Sequence, residues 1–160
     1  MNQLKSITIK EAYSFDKTPS LIVKPEDDFE EVVRRFSDQP ELRGIFVADN
    51  SDYLLGVITR RDLLDWARIQ IGASFYASDD HWLKEDVRLL ELMRASKAQE
   101  VARTDSANAA VHLDDPLAEA LRKMLVLDLI CLPVVDEAGV IIGDLKITEI
   151  LHQVLIAGHD

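Results

Sequence analysis

One cysteine, six glycines and no long apolar run set the first limits on this 160-residue chain. Cys131 alone can build neither a disulfide framework nor a cysteine metal site, and it lies within an apolar run. The glycines are not clustered, which excludes a phosphate-cradling glycine-rich loop. His81, His112, His152 and His159 are scattered without metal-ligand spacing, and no nucleophile motif is present, so neither a metal nor a catalytic activity is expected. No apolar stretch approaches the ~18 residues of a membrane span. The N-terminal MNQLKSITIKEAYSF lacks the apolar core of a secretory signal, so direct membrane insertion is not expected. Basic residues are also few: 18 Lys and Arg stand against 29 Asp and Glu, for a net charge of −11. Nucleic acid or an anionic membrane surface needs a basic face and is a poor partner for such a chain. A small anion remains possible, because a few local arginines override a distant field. The natural compartment is the reduced cytoplasm, and Met1 with the polar C-terminal tail favours a stand-alone protein over a fragment.

With 48% hydrophobic and 29% charged residues, the composition is that of a folded protein. Its length fits one domain, or two small halves sharing a core. The chain repeats itself. Residues 45–64, IFVADNSDYLLGVITRRDLL, match 132–151, LPVVDEAGVIIGDLKITEIL: Val47 with Val134, Asp49 with Asp136, Gly56 with Gly143 and Asp62 with Glu149, each 87 positions apart. Upstream, Phe29, Val32, Val33 and Phe36 form one apolar helical stripe, and Leu117, Ala120, Leu121 and Met124 form another at an offset of 88. Each helix follows a short apolar run, Leu21–Val23 and Ala109–Val111, and an acidic start signal, Pro25–Asp28 and Asp114–Pro116. Asn50–Asp52 and Glu137–Gly139 supply hairpin turns. Pro133 falls within a strand, which favours an edge or a strand start.

Between the repeats, 72–79 reads as a loop and 80–97 as an amphipathic helix with Leu83, Val87, Leu90 and Arg94 on one face and Met93 nearby. It is either a connector lying on the core or a partner-binding helix. The closing helices carry broad apolar stripes: Leu63, Leu64, Trp66, Ala67, Ile69 and Ile71 in the first, and Ile147, Ile150, Leu151, Val154, Leu155 and Ile156 in the second. These stripes predict a homodimer.

The strings GIFVAD (44–49) with LLGVITRRDLL (54–64), and LPVVDEAG (132–139) with VIIGDLKITEIL (140–151), resemble the CBS domain, present as a tandem pair. The resemblance implies a mixed α/β (α+β) fold of two βαββα units with pseudo-two-fold symmetry. CBS domain 1 would span 7–71, the connector 72–97 and CBS domain 2 98–157, with ITIKEAY (7–13) and AQEVAR (98–103) as short lead-in helices. It further implies two clefts for adenosine nucleotides such as AMP, ADP or ATP. The family's ligand motif, Gly-x-x-Thr/Ser-x-x-Asp/Asn, is intact in the first copy as Gly56, Thr59 and Asp62. By resemblance Thr59 would meet a phosphate and Asp62 the ribose hydroxyls, and Arg60 and Arg61 add local positive charge. A carboxylate accepts two vicinal hydroxyls well, and the free N–H groups of a helix start favour an anion. Thr-x-x-Asp is also close to a capping box that needs no ligand, and the two roles can coexist. The second copy carries Gly143, Lys146 and Glu149 instead, which predicts a cleft that is weak, different or empty. Thr18, Ser20, Leu21 and Ile22 are further cleft candidates by resemblance. Arg43, Ile45 and Phe46 would lie at the rim, with Phe46 able to stack on a purine. The expectation is a non-catalytic module that senses an adenosine nucleotide and signals to a regulated protein. The alternatives are a structural or dimerisation module with no ligand, or the regulatory fragment of a larger transporter or enzyme.

Overall fold

The computed structural model describes residues 2–12, 21–75 and 82–158. In chain order the elements are α1 (Asn2–Ser6), α2 (Ile9–Ala12), β1 (Leu21–Val23), α3 (Phe29–Asp38), β2 (Gly44–Ala48), β3 (Leu54–Thr59), α4 (Arg60–Phe75), α5 (Trp82–Ala95), α6 (Ala98–Val101), a 3-10 turn (Thr104–Asn108), β4 (Val111–His112), α7 (Leu117–Leu127), β5 (Cys131–Val135), β6 (Ile141–Lys146) and α8 (Ile147–Ala157). Two three-stranded sheets result, ordered β1-β2-β3 and β4-β5-β6. In each, the first pair is parallel and the second antiparallel. The fold is mixed α/β, two βαββα units, as the repeat implies.

The same local chemistry builds both copies. Asp27 accepts the Lys24 N–H and Asp115 the His112 N–H, each at 2.8 Å, so the acids close the turn before the helix rather than cap it. At the hairpins Asp49 Oδ1 accepts the N–H groups of Ser51 and Tyr53, and Asp136 Oδ1 those of Ala138 and Val140. The residues that complete these turns, Asp52 and Gly139, have φ of 61° and 85°, a left-handed conformation that Asp tolerates and Gly adopts freely.

The two units interlock through their lead-in segments. The Ile9 and Lys10 N–H groups donate to Asp115 and Leu113 of the second unit, and Leu117 donates back to Ile7. Conversely Ala98 and Gln99 donate to Asp27 and Pro25 of the first unit, and Phe29 donates to Ser96. Leu4, Ile9 and Ala12 accordingly pack in the core with Leu117, Leu132 and Ile150, while Ala98 and Val101 pack with Phe29, Val32 and Trp66. Each unit is closed by the segment that precedes the other. Strand β2 joins the two cores by simple alternation: Ile45 and Val47 face the first, Phe46 and Ala48 the second.

Several expectations are corrected. Gly72–Phe75 continue α4 rather than loop, since a single Gly costs a helix only about 1 kcal/mol and no proline stops it. Residues 76–79 lie outside those described. The strand expected at Ala109–Val111 is Val111–His112, because Ala109 caps the preceding 3-10 turn. On α5 the half-buried stripe is Leu89, Leu92 and Met93, which pack on the first core; Leu90 and Arg94 face outward, Arg94 toward Glu30 at 3.4 Å. Leu83 and Val87 are outside the described side chains. Pro133 lies inside the central strand β5, but pairing with β4 starts only at Val134. Trp66 turns inward, its ring 4.5 Å from that of Phe29.

Candidate functional site

Thr59 ends β3, and Asp62 stands in the first turn of α4. One carboxylate oxygen of Asp62, Oδ2, accepts both the Thr59 N–H at 2.6 Å and its hydroxyl at 2.8 Å. This is the capping arrangement, and it holds Asp62 at 5% and Thr59 at 9% exposure. Among the described residues Asp62 Oδ1 has no hydrogen-bond donor. Asp62 opens onto a cleft of about 540 Å³ lined by Arg61, Trp66 and Ile69 of α4, by Glu100 and Arg103, and by Asp128. A smaller cavity of about 220 Å³ adjoins it, sharing Arg61 and Asp128 and adding Arg43, Thr59, Arg60 and Ile130. The lining thus combines a buried carboxylate, apolar walls, a helix start and arginines.

The expected site residues divide. Thr59, Asp62, Arg61 and Arg43 line these cavities. Arg60 lines the smaller one, but its guanidinium donates to the Phe36 and Pro40 carbonyls and stacks 5.1 Å over the Phe36 ring, so it caps α3. Phe46, expected at the rim, is wholly buried in the core between the units, and Ile45 is wholly buried in the first core, because β2 is covered on both faces. Ile22 is half-buried against that same central core. Leu21 lies in β1 with its side chain outside the description, as are Thr18 and Ser20 entirely.

In the second copy Glu149 accepts the Lys146 N–H at 2.7 Å, repeating the cap with a longer acid. Lys146 Nζ lies 3.7 Å from Asp144, with side chains 20% and 14% exposed. The ammonium is therefore engaged by Asp144, whose own pKa is raised, first by burial and also by Glu149, against the lowering effect of Lys146.

Arg103, Ser106, Glu100 and Asp128 were not expected beside Thr59 and Asp62. Wholly buried Ser106 accepts the Val57 N–H at 2.8 Å, and Gly56 lets Ala102 and Ser106 approach. The repeat offset of 88 carries Thr18 onto Ser106, so the residue type was legible. The lead-in exchange, which puts it on the first unit, was not. Among the described residues no group of three or more His, Cys, Asp or Glu side chains is arranged to hold a metal ion, and no helix is long and apolar enough to cross a membrane.

Two βαββα units with a cleft at the capped Thr-x-x-Asp turn define a paired module. The CBS domain model matches residues 10–68 and 98–156. The chain belongs to the CBS domain family. Its fold is similar to that of a CBS domain-containing protein from Thermotoga maritima, at 28% identity and TM-score 0.69, covering 91% of this chain and 92% of that one. It is similar to CBSX2 in complex with AMP, at 20% identity and TM-score 0.67, over 96% and 99%. It is also similar to the CBS domain of the bacterial CNNM/CorC family Mg2+ transporter in complex with ATP, at 15% identity and TM-score 0.65, over 96% and 91%. No curated protein matches the chain.

Proposed function

We propose that the chain is a non-catalytic regulatory module whose first cleft binds an adenosine nucleotide and whose occupancy is passed to a partner protein. The observation that carries this is Asp62: a buried carboxylate whose Oδ1 has no donor among the described residues, on the wall of a cleft of about 540 Å³. A buried acceptor without a donor is costly, and a ribose diol supplies two. The start of α4 offers a positive dipole end to a phosphate, and the Thr59 hydroxyl, which here donates to Asp62 Oδ2, would have to rotate to donate to one. The structures of CBSX2 in complex with AMP and of the CNNM/CorC transporter CBS domain in complex with ATP support the ligand class. Signalling would follow from unequal affinity for two arrangements of the units, since a ligand shifts only an equilibrium whose states it binds unequally.

A second reading, a structural module with no ligand, is favoured by the two hydrogen bonds that Asp62 Oδ2 already accepts from Thr59. Thermal-shift measurement with AMP, ADP, ATP, adenosylmethionine and NAD separates the two. A ligand at 100 times its dissociation constant adds about 2.7 kcal/mol, a shift on the order of 5–10 °C for a chain this size. No shift at millimolar nucleotide would establish the structural reading.

A further inference from the structure

Arg103 enters the first cleft from the segment that leads into the second unit. Its Nε and Nη2 donate to the two carboxylate oxygens of Asp105 at 3.2 and 3.0 Å, and its Nη1 to the Asp128 carbonyl at 3.4 Å. The two arginines at the start of α4 are less suited to hold an anion there. Arg60 is occupied by the end of α3, and Arg61 is 68% exposed and leans toward Asp65 at 3.9 Å. The Arg103 side chain is 28% exposed, so it loses less freedom when a ligand binds. Its charge is stabilised first by Asp105 and also by Asp62 and Asp128, which places it in the field of the carboxylate that faces the cleft. The acids around it are largely engaged: Asp62 by Thr59, Glu100 by the Lys97 N–H, and Asp65 by Arg68.

Resting on the adenosine-nucleotide reading of this cleft, we infer that Arg103 binds the phosphate of the ligand, exchanging Asp105 for it. Asp105 is a weak holder. Its side chain is 55% exposed and lies only two residues away, and exposed ion pairs contribute little. A phosphate offers the same planar fork more charge and three acceptor oxygens. A nucleotide held by Asp62 from the first unit and Arg103 from the second then ties the two units together. Nucleoside alone would lack the charged contact with the second. The phosphate becomes the part of the ligand that the module reads.

Titration calorimetry with adenosine and with AMP tests this on the whole chain. Arg103→Ala should weaken AMP about tenfold or more and leave adenosine unchanged. Asp105→Asn should tighten AMP severalfold, again without affecting adenosine. Equal weakening of both ligands by Arg103→Ala marks a structural role and overturns the inference, as does unaltered AMP affinity. If Arg103→Ala does not fold, an unchanged AMP-to-adenosine ratio in Asp105→Asn overturns it. Wild type that binds neither ligand removes the nucleotide reading itself. Wild type that binds both, with an unchanged ratio in the variants, removes only the role of Arg103.

Discussion

Gly44 and Cys131 hold the same place in the two repeats and meet across the approximate two-fold: a Cβ at Gly44 would stand 2.9 Å from Cys131 Sγ and 3.4 Å from Val57. The sheets approach each other at this point because one copy has no side chain there. Gly44→Ala should lower stability by about 1–3 kcal/mol, the usual effect of overpacking a dense core. In a Cys131→Ala background the same substitution should cost markedly less, which urea unfolding of the four variants measures. Burial pushes the Cys131 thiol up to about 12, so it should resist alkylation until the chain unfolds.

Ser106 is the peg between the second unit's lead-in and the first unit's sheet. Ser106→Ala leaves the buried Val57 N–H without its acceptor, an expected loss of about 1–3 kcal/mol. Ser106→Thr keeps the acceptor and should show whether the pocket or the bond matters. Denaturant midpoints decide; a loss under about 0.5 kcal/mol for Ser106→Ala would mean another group takes over the amide.

The two caps should be unequal in binding. Asp62→Ala removes a charge-assisted contact worth about 1.5–3 kcal/mol, roughly ten- to a hundredfold in nucleotide affinity. Glu149→Ala should change affinity little, because Lys146 is already engaged by Asp144. Calorimetry on both variants reads this, and equal losses would overturn the assignment of the first cleft as the working site.

Asp144 should make a pH-dependent contribution. Its folded-state pKa lies above the ordinary 3.8, with burial as the first cause. The unfolded chain therefore releases this proton first. The contribution is full below 3.8 and is lost as pH climbs through the raised value. Asp144→Asn cannot ionise, so its stability relative to wild type should be greater at about pH 7 than at about pH 3.5. The opposite trend in urea unfolding would show that the Lys146 pair outweighs burial.

Oligomeric state follows from the outer faces of α4 and α8. Leu64 and Ile69 on one, and Leu151, Val154, Leu155 and Ile156 on the other, are exposed in the single chain. We expect a homodimer through these helices, since exposed apolar residues clustered on a helix face mark an interface when they join into one patch. Light scattering coupled to size exclusion should give twice 18.0 kDa, and Leu155→Glu should return the monomer mass. Trp66 is unsuited to this test because it packs on Phe29 inside the first unit.

What the chain declared by itself was everything of short range. The period-3.6 stripes of α3 and α7, the Asp-initiated hairpins at Asp49 and Asp136, and the Thr59–Asp62 cap each arise within a few residues, so local pattern specifies them. The 87-residue repeat then identified two copies of one unit. Tertiary structure decided which partner each element found. Nothing near Arg103 or Ser106 in the sequence says that they lie against β3 rather than in their own unit. That follows only once the Ile9–Asp115 and Ala98–Asp27 hydrogen bonds exchange the lead-ins. Phe46 and Ile45 were misplaced for the same reason. A strand buried on both faces has no polar alternation to mark its rim, and only the packing of a second core against β2 shows that no rim exists there.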